Sequence, residues 1–201
     1  MLNNKKILFY GPANTNDKKT ININFYDYVI ITNNMISSFF SKYSNITCKI
    51  IHYTNTLYTK NYIELIKFYS SLISLHFVSG YKSYKIITKH IKTKNIKRLK
   101  SIPYGFKRAK GIPFILTRLL LLLKYFNFKQ LYITGCTFYS SNNINDCYEE
   151  KEYIIKEAKY KNIFTDDKNI HNLKYNKYIV KKILKQNPNI KICKELKDVL
   201  C

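Results

Sequence analysis

The chain has 201 residues, and 46% of them are hydrophobic, which suits one domain with a sizeable core and excludes wholesale disorder. Against 35 Lys and Arg stand 12 Asp and Glu, a formal charge of +23, so the expected partners are anionic: nucleic acid, a membrane surface or a charged small substrate. Five Cys show no C-x-x-C pair and no metal spacing with the four His, which excludes a zinc module, and their odd count speaks against a disulfide framework.

The first expected element is a short interior strand over Lys5–Tyr10, broken by Gly11-Pro12-Ala13-Asn14. A strand ending in Gly near the N-terminus often opens a nucleotide site, because Gly lets backbone N–H groups approach a phosphate; it is also an ordinary turn. Asp27–Thr32 is a second β-branched strand ending at Asn33-Asn34, and Cys48–Tyr53 a third ending at Thr54-Asn55. Tyr58–Leu75 is helical in period, giving way to a strand around Leu75–Val78, where His76 reads as a packed or hydrogen-bonded core residue. Tyr81–Lys110 alternates apolar and basic residues, with eleven Lys or Arg and no acid, and suggests no definite element. Within it, Ser101–Gly105 reads as a loop by its Pro and Gly.

Gly111–Tyr139 organises the rest. The apolar run predicts a buried helix over Phe114–Phe126, then a turn at Asn127 and an interior strand over Gln130–Thr134. Gly135 stops that strand and opens a polar loop, with Ser140–Cys147 as a mobile lid. Tyr148–Lys161 reads as an acid-and-Lys helix, and Asp166–Asn169 as a loop. A helix from about Asn172 to Lys185 and a last strand over Ile190–Cys193 follow. Strands alternating with helices predict an α/β fold: one doubly wound, mostly parallel sheet with helices on both faces, and no second domain. In such sheets ligands bind outside the carboxyl ends of the strands.

The positive charge does not single out nucleic acid. Only Arg98, Arg108 and Arg118 are arginines, although Arg suits phosphate and base contacts best, and Lys, Asn, Ile and Tyr are enriched throughout. The run Ile112–Leu123 is too short to span a bilayer and is interrupted by Arg118. With no signal-peptide pattern, a cytoplasmic protein is expected, open to peripheral contact with an anionic membrane surface.

Five segments carry a family resemblance. They are the opening strand with Gly11-Pro12-Ala13; the strand Asp27–Asn33; the strand Cys48–Asn55; Leu131-Tyr132-Ile133-Thr134-Gly135-Cys136-Thr137-Phe138-Tyr139; and His171 before a Lys-rich helix and a closing Ile-Lys-Ile strand. In this order they resemble the sialyltransferases of glycosyltransferase family 42, the bacterial lipooligosaccharide type, and more distantly those of family 29. The likeness spans nearly the whole chain with thin identity. It implies a single Rossmann-like domain of glycosyltransferase-A type that moves a sialic-acid-like sugar from a CMP-activated donor to a glycan acceptor. No cofactor or metal is implied beyond the nucleotide-sugar donor. The resemblance assigns the catalytic base to His171, and donor binding to Gly11, Pro12, Ala13, Asn33, Asn55, Lys107, Arg108, Thr137, Tyr139 and Tyr148. The chain departs from the family at three places: Thr137 replaces an Asp, Ile31 replaces an Arg, and Lys107–Gly111 stands where the family has Arg-x-Thr-Ser-Gly.

The chemistry fits these residue types. A transfer through an oxocarbenium-like transition state needs a base for the acceptor hydroxyl and donors for the departing phosphate. A neutral His at a helix start suits the first task, and Tyr139 and Tyr148 phenols the second. Lys107, Arg108 and Lys110 offer charge for carboxylate or phosphate. Two alternatives remain: a degenerate member of the same fold that binds a nucleotide or polyanion without catalysis, and a Lys/Tyr-rich nucleic-acid binder.

Overall fold

The computed structural model describes residues 2–32, 35–54, 60–91, 95–99, 105–107, 113–138 and 172–201. Among the described residues seven strands form one sheet: β1 (Lys6–Tyr10), β2 (Tyr28–Thr32), β3 (Lys49–Thr54), β4 (Ile73–Ser79), β5 (Ile96–Leu99), β6 (Gln130–Thr134) and β7 (Ile190–Ile192). Every pairing is parallel, in the order β5-β4-β3-β2-β1-β6-β7. The middle strands read as continuous Val, Ile, Leu and Tyr because both of their faces are covered; all five residues of β2 are buried.

Six α-helices lie among the described residues: α1 (Ile36–Lys42), α2 (Lys60–Phe68), α3 (Tyr81–His90), α4 (Ile115–Leu123), α5 (Leu173–Gln186) and α6 (Lys194–Leu200). Alternation along the strands divides the core. Ile7, Phe9, Ile30, Ile51, Phe77, Leu131 and Ile133 face α4, α5 and α6. Leu8, Tyr10, Val29, Ile31 and Val78 face the opposite layer, with Ile36, Phe39, Tyr62, Ile66 and Ile87 of α1, α2 and α3. Helices on both faces of a parallel sheet make the fold doubly wound, of Rossmann-like α/β kind. The chain begins in the middle, builds β2 to β5 on one side, then crosses to the other side of β1 for β6 and β7. The reversal lies between β1 and β6, and the crevice at their carboxyl ends is the topological switch point.

Four expectations need correction. The helix read over Tyr58–Leu75 ends at Phe68, where Ser70 turns its hydroxyl back onto the Lys67 carbonyl at 2.7 Å, and β4 begins at Ile73. The Lys-rich stretch beginning at Tyr81 contains a helix and a strand; α3 buries only Ser83 and Ile87, too little apolar surface for the period to stand out. The central helix stops at Leu123, short of Phe126, as Lys124–Phe126 turn back. Helices α1 and α6, seven residues each, were not expected at all. No helix among the described residues is long and apolar enough to cross a membrane.

Candidate functional site

At the switch point the loops after β1 and β6 cross in contact. The Gly11 N–H donates to the Thr134 carbonyl and the Ala13 N–H to the Gly135 carbonyl, both at 2.9 Å. A Cβ on Gly11 would lie 2.3 Å from the Gly135 oxygen, and one on Gly135 would lie 2.4 Å from the Gly11 oxygen. Gly135 also has φ +68°, a left-handed conformation that suits glycine. Both glycines are therefore needed for backbone approach. The Gly11 and Ala13 amides are thus both bonded within the crossing, in keeping with the ordinary-turn reading of Gly11-Pro12.

Lys18 locks the crossing from the α1 side. It sits in a 3₁₀ turn (Asn16–Lys19), is 1% exposed, donates to the Gly11 carbonyl at 2.6 Å and lies 4.1 Å from the Tyr10 ring centroid. The same turn is pinned by Asp17, whose two carboxylate oxygens accept from the Tyr132 and Thr134 hydroxyls at 2.8 Å each. Burial, more than the neighbouring carboxylate, pushes the Tyr132 phenol upward. Asp17, Cys193 and Glu195 bring ligand atoms within 4.8 Å of one another. Glu195 accepts from the Asn16 N–H at 2.8 Å and so fastens the turn to α6, while Asp17 fastens it to β6; burial pushes the Cys193 thiol to about 11.

On the other face, three carboxyl-edge segments meet at the start of α4. Phe114, its N-cap, stacks on Phe138 with ring centroids 4.9 Å apart, and its N–H donates to the buried Asn176 side chain of α5 at 2.7 Å. Asn172 caps α5, accepting from the Tyr175 N–H at 3.1 Å. Phe106 packs on Tyr175 at 5.1 Å, which draws in the segment bearing Lys107. Phe138 and Asn172 both have left-handed backbones, at φ 51° and φ 40°. For an aromatic residue that is an outlier sustained by its packing.

The expected site residues divide accordingly. Gly11, Pro12 and Ala13 lie at the switch point, with Ala13 buried and Pro12 half-buried. Thr137 is half-buried in the loop after β6, and Lys107 is exposed beside the first turn of α5. Asn33, Asn55, Arg108, Tyr139, Tyr148 and His171, with the lid 140–147, lie outside the described residues. Thr32 and Thr54, which immediately precede Asn33 and Asn55 or their turn, end β2 and β3 at the carboxyl edge.

Sequence reasoning missed Arg118. Treated there only as a break in an apolar run, it is 5% exposed and reaches from the first turn of α4 to Ser79 at the end of β4. Its second terminal nitrogen is 3.5 Å from the Pro113 carbonyl, and its Nε is buried without a partner. Tyr53, near the end of β3, stands beside Arg118 and Ser79, yet its hydroxyl completes a hydrogen bond with neither. Burial pushes that phenol to about 12. A lone Arg among leucines, four residues after a Pro-Phe helix start, was the available signal.

His76 is buried in the core, as expected, and faces the α2 layer. Its Nδ1 lies 3.2 Å from His52 Nδ1, and His52 Nε2 lies 2.9 Å from the Tyr62 hydroxyl, which donates to Thr54 at 3.3 Å. Desolvation holds His76 down to about 4, so it is neutral at ordinary pH.

Compared with known proteins, the chain matches no family model, and no curated protein or solved structure matches it significantly.

Proposed function

We propose that the chain is a glycosyltransferase that moves a sialic-acid-like sugar from a CMP-activated donor to a glycan acceptor at the carboxyl edge of the sheet. The observation that carries this reading is the meeting of Phe138, Phe114 and Asn176 at the start of α4. Phe138 precedes Tyr139 and Asn172 follows His171, and each flanking residue has a left-handed backbone. Strain of this kind collects where a chain must aim particular side chains. In this reading His171 takes the acceptor proton, while Tyr139 and Tyr148 donate to the departing phosphate. Lys107 and Arg108 hold donor charge, Asn33 and Asn55 read the nucleotide and sugar, and Thr137 lines the donor cleft.

The departures at Thr137, Ile31 and Lys107–Gly111 favour a second reading, a nucleotide or polyanion binder of the same fold without turnover. Incubation of purified protein with CMP-sialic acid separates the two. Transfer predicts CMP release that falls about 100-fold or more in His171→Ala, with CMP affinity by calorimetry unchanged. Saturable CMP binding without release supports the binder. Absence of both removes the two readings together.

A further inference from the structure

We propose that Arg118 and Tyr53 form a buried oxyanion site that takes a carboxylate or phosphoryl group at the carboxyl ends of β3 and β4. A buried guanidinium cannot shed its proton and normally requires an opposing charge. Among the described residues, no carboxylate meets Arg118; its contacts are the Ser79 hydroxyl and the distant Pro113 carbonyl. Two polar atoms here are buried and without partners: Arg118 Nε and the hydroxyl of Tyr53 beside it. Both belong to side chains at least nine-tenths buried, with Arg118 5% exposed and Tyr53 at 0%.

Helix position adds to the imbalance. Arg118 lies at the start of α4, whose first turn contains no acid and whose N-cap side chain makes no hydrogen bond. The N-terminal end of a helix is its positive end, and its first amides have no intrahelical acceptors, so a cation there is unfavourable until an anion arrives. Nε and one terminal nitrogen form the side-on fork that matches two oxygens of a carboxylate or phosphoryl group. The Tyr53 hydroxyl can donate to the same oxygens. Ser79 accepts from the opposite nitrogen and fixes the plane of the fork. Position at the carboxyl edge gives the cluster the usual ligand-binding aspect of a parallel sheet.

The inference does not rest on sugar transfer, because its test needs neither donor nor turnover. Thermal unfolding is followed at constant ionic strength, with chloride replaced stepwise by inorganic phosphate or by acetate. The wild type is expected to gain melting temperature saturably with one of the two anions, and which one identifies the ligand group. Arg118→Met, with similar volume and no charge, is expected to lose that response and to melt no lower than wild type without anion. Arg118→Lys keeps the charge without the fork, and Tyr53→Phe keeps the ring without the donor. Each is expected to weaken the apparent affinity, about tenfold for Lys and several-fold for Phe. If Arg118→Met does not fold, Arg118→Lys decides. No saturable response to either anion in the wild type, or an unchanged affinity in Arg118→Lys, overturns the proposal.

Discussion

Among the described residues two cations are buried at the carboxyl edge, one on each face of the sheet, and their surroundings differ. Lys18 meets a backbone carbonyl at 2.6 Å and an aromatic face, in a crossing where the amides of Gly11 and Ala13 and the hydroxyls of Thr134 and Tyr132 are all bonded. Arg118 stands among atoms that lack partners. A fold that satisfies its polar groups within the chain on one face, and among the described residues leaves a charge and the hydroxyl beside it unanswered on the other, separates a structural clamp from a ligand-binding surface. Satisfaction of buried polar groups is the rule, so each exception calls for a reason.

The sharpest way to break that comparison is to force the clamp apart. Gly11→Ala places a methyl 2.3 Å from the Gly135 oxygen, which backbone must move to relieve. The expected loss is about 4 kcal/mol of unfolding free energy, measured by urea denaturation, at the high end for single substitutions. A loss below about 1 kcal/mol would mean the two loops do not depend on each other.

His76 supplies a neutral counterpart to Arg118, since its Nε2 is also buried without a partner. Its pKa is held near 4 by desolvation while the unfolded side chain titrates near 6.5, so the unfolded state takes up the proton first. Stability is therefore complete above pH 6.5 and is lost as pH falls toward 4, by about 3 kcal/mol if His76 acts alone. His76→Asn keeps a donor toward His52 without a titrating ring and should flatten that slope. An unchanged slope would assign the acid sensitivity elsewhere.

A smaller effect is expected from Lys18→Met, which leaves the buried Gly11 carbonyl without its donor and should cost about 2 kcal/mol in chemical denaturation. That sign is the reverse of the one expected for Arg118→Met. If both substitutions stabilise, or both destabilise equally, the two cations are not different in kind.

Much of the fold could be read from the chain because β1, β2, β3 and β6 are interior strands and appear as short β-branched and aromatic runs ended by Gly or polar residues. The helix from Asn172 was legible through its stripe of Tyr175, Ile179, Ile183 and Leu184. Elements at the margins were not: α3 buries two side chains, and α6 is seven residues whose burial rests on Leu196 and Leu200. The site was half legible. Gly135 announced itself as a strand end, but its closeness to Gly11 links positions on two distant segments, and only the strand order brings them together. Arg118 was invisible as a site residue because sequence shows a charge and not its burial or its neighbours.

Hydrogen–deuterium exchange of the wild-type protein with and without CMP asks most directly whether the carboxyl edge is the ligand surface. Slower exchange on CMP addition is predicted for the amides of 135–138, 114–118 and 172–176, with the turn at Asn127–Lys129 on the amino edge unchanged. Saturating CMP that leaves those three segments unprotected, or that protects the amino edge instead, would contradict the assignment.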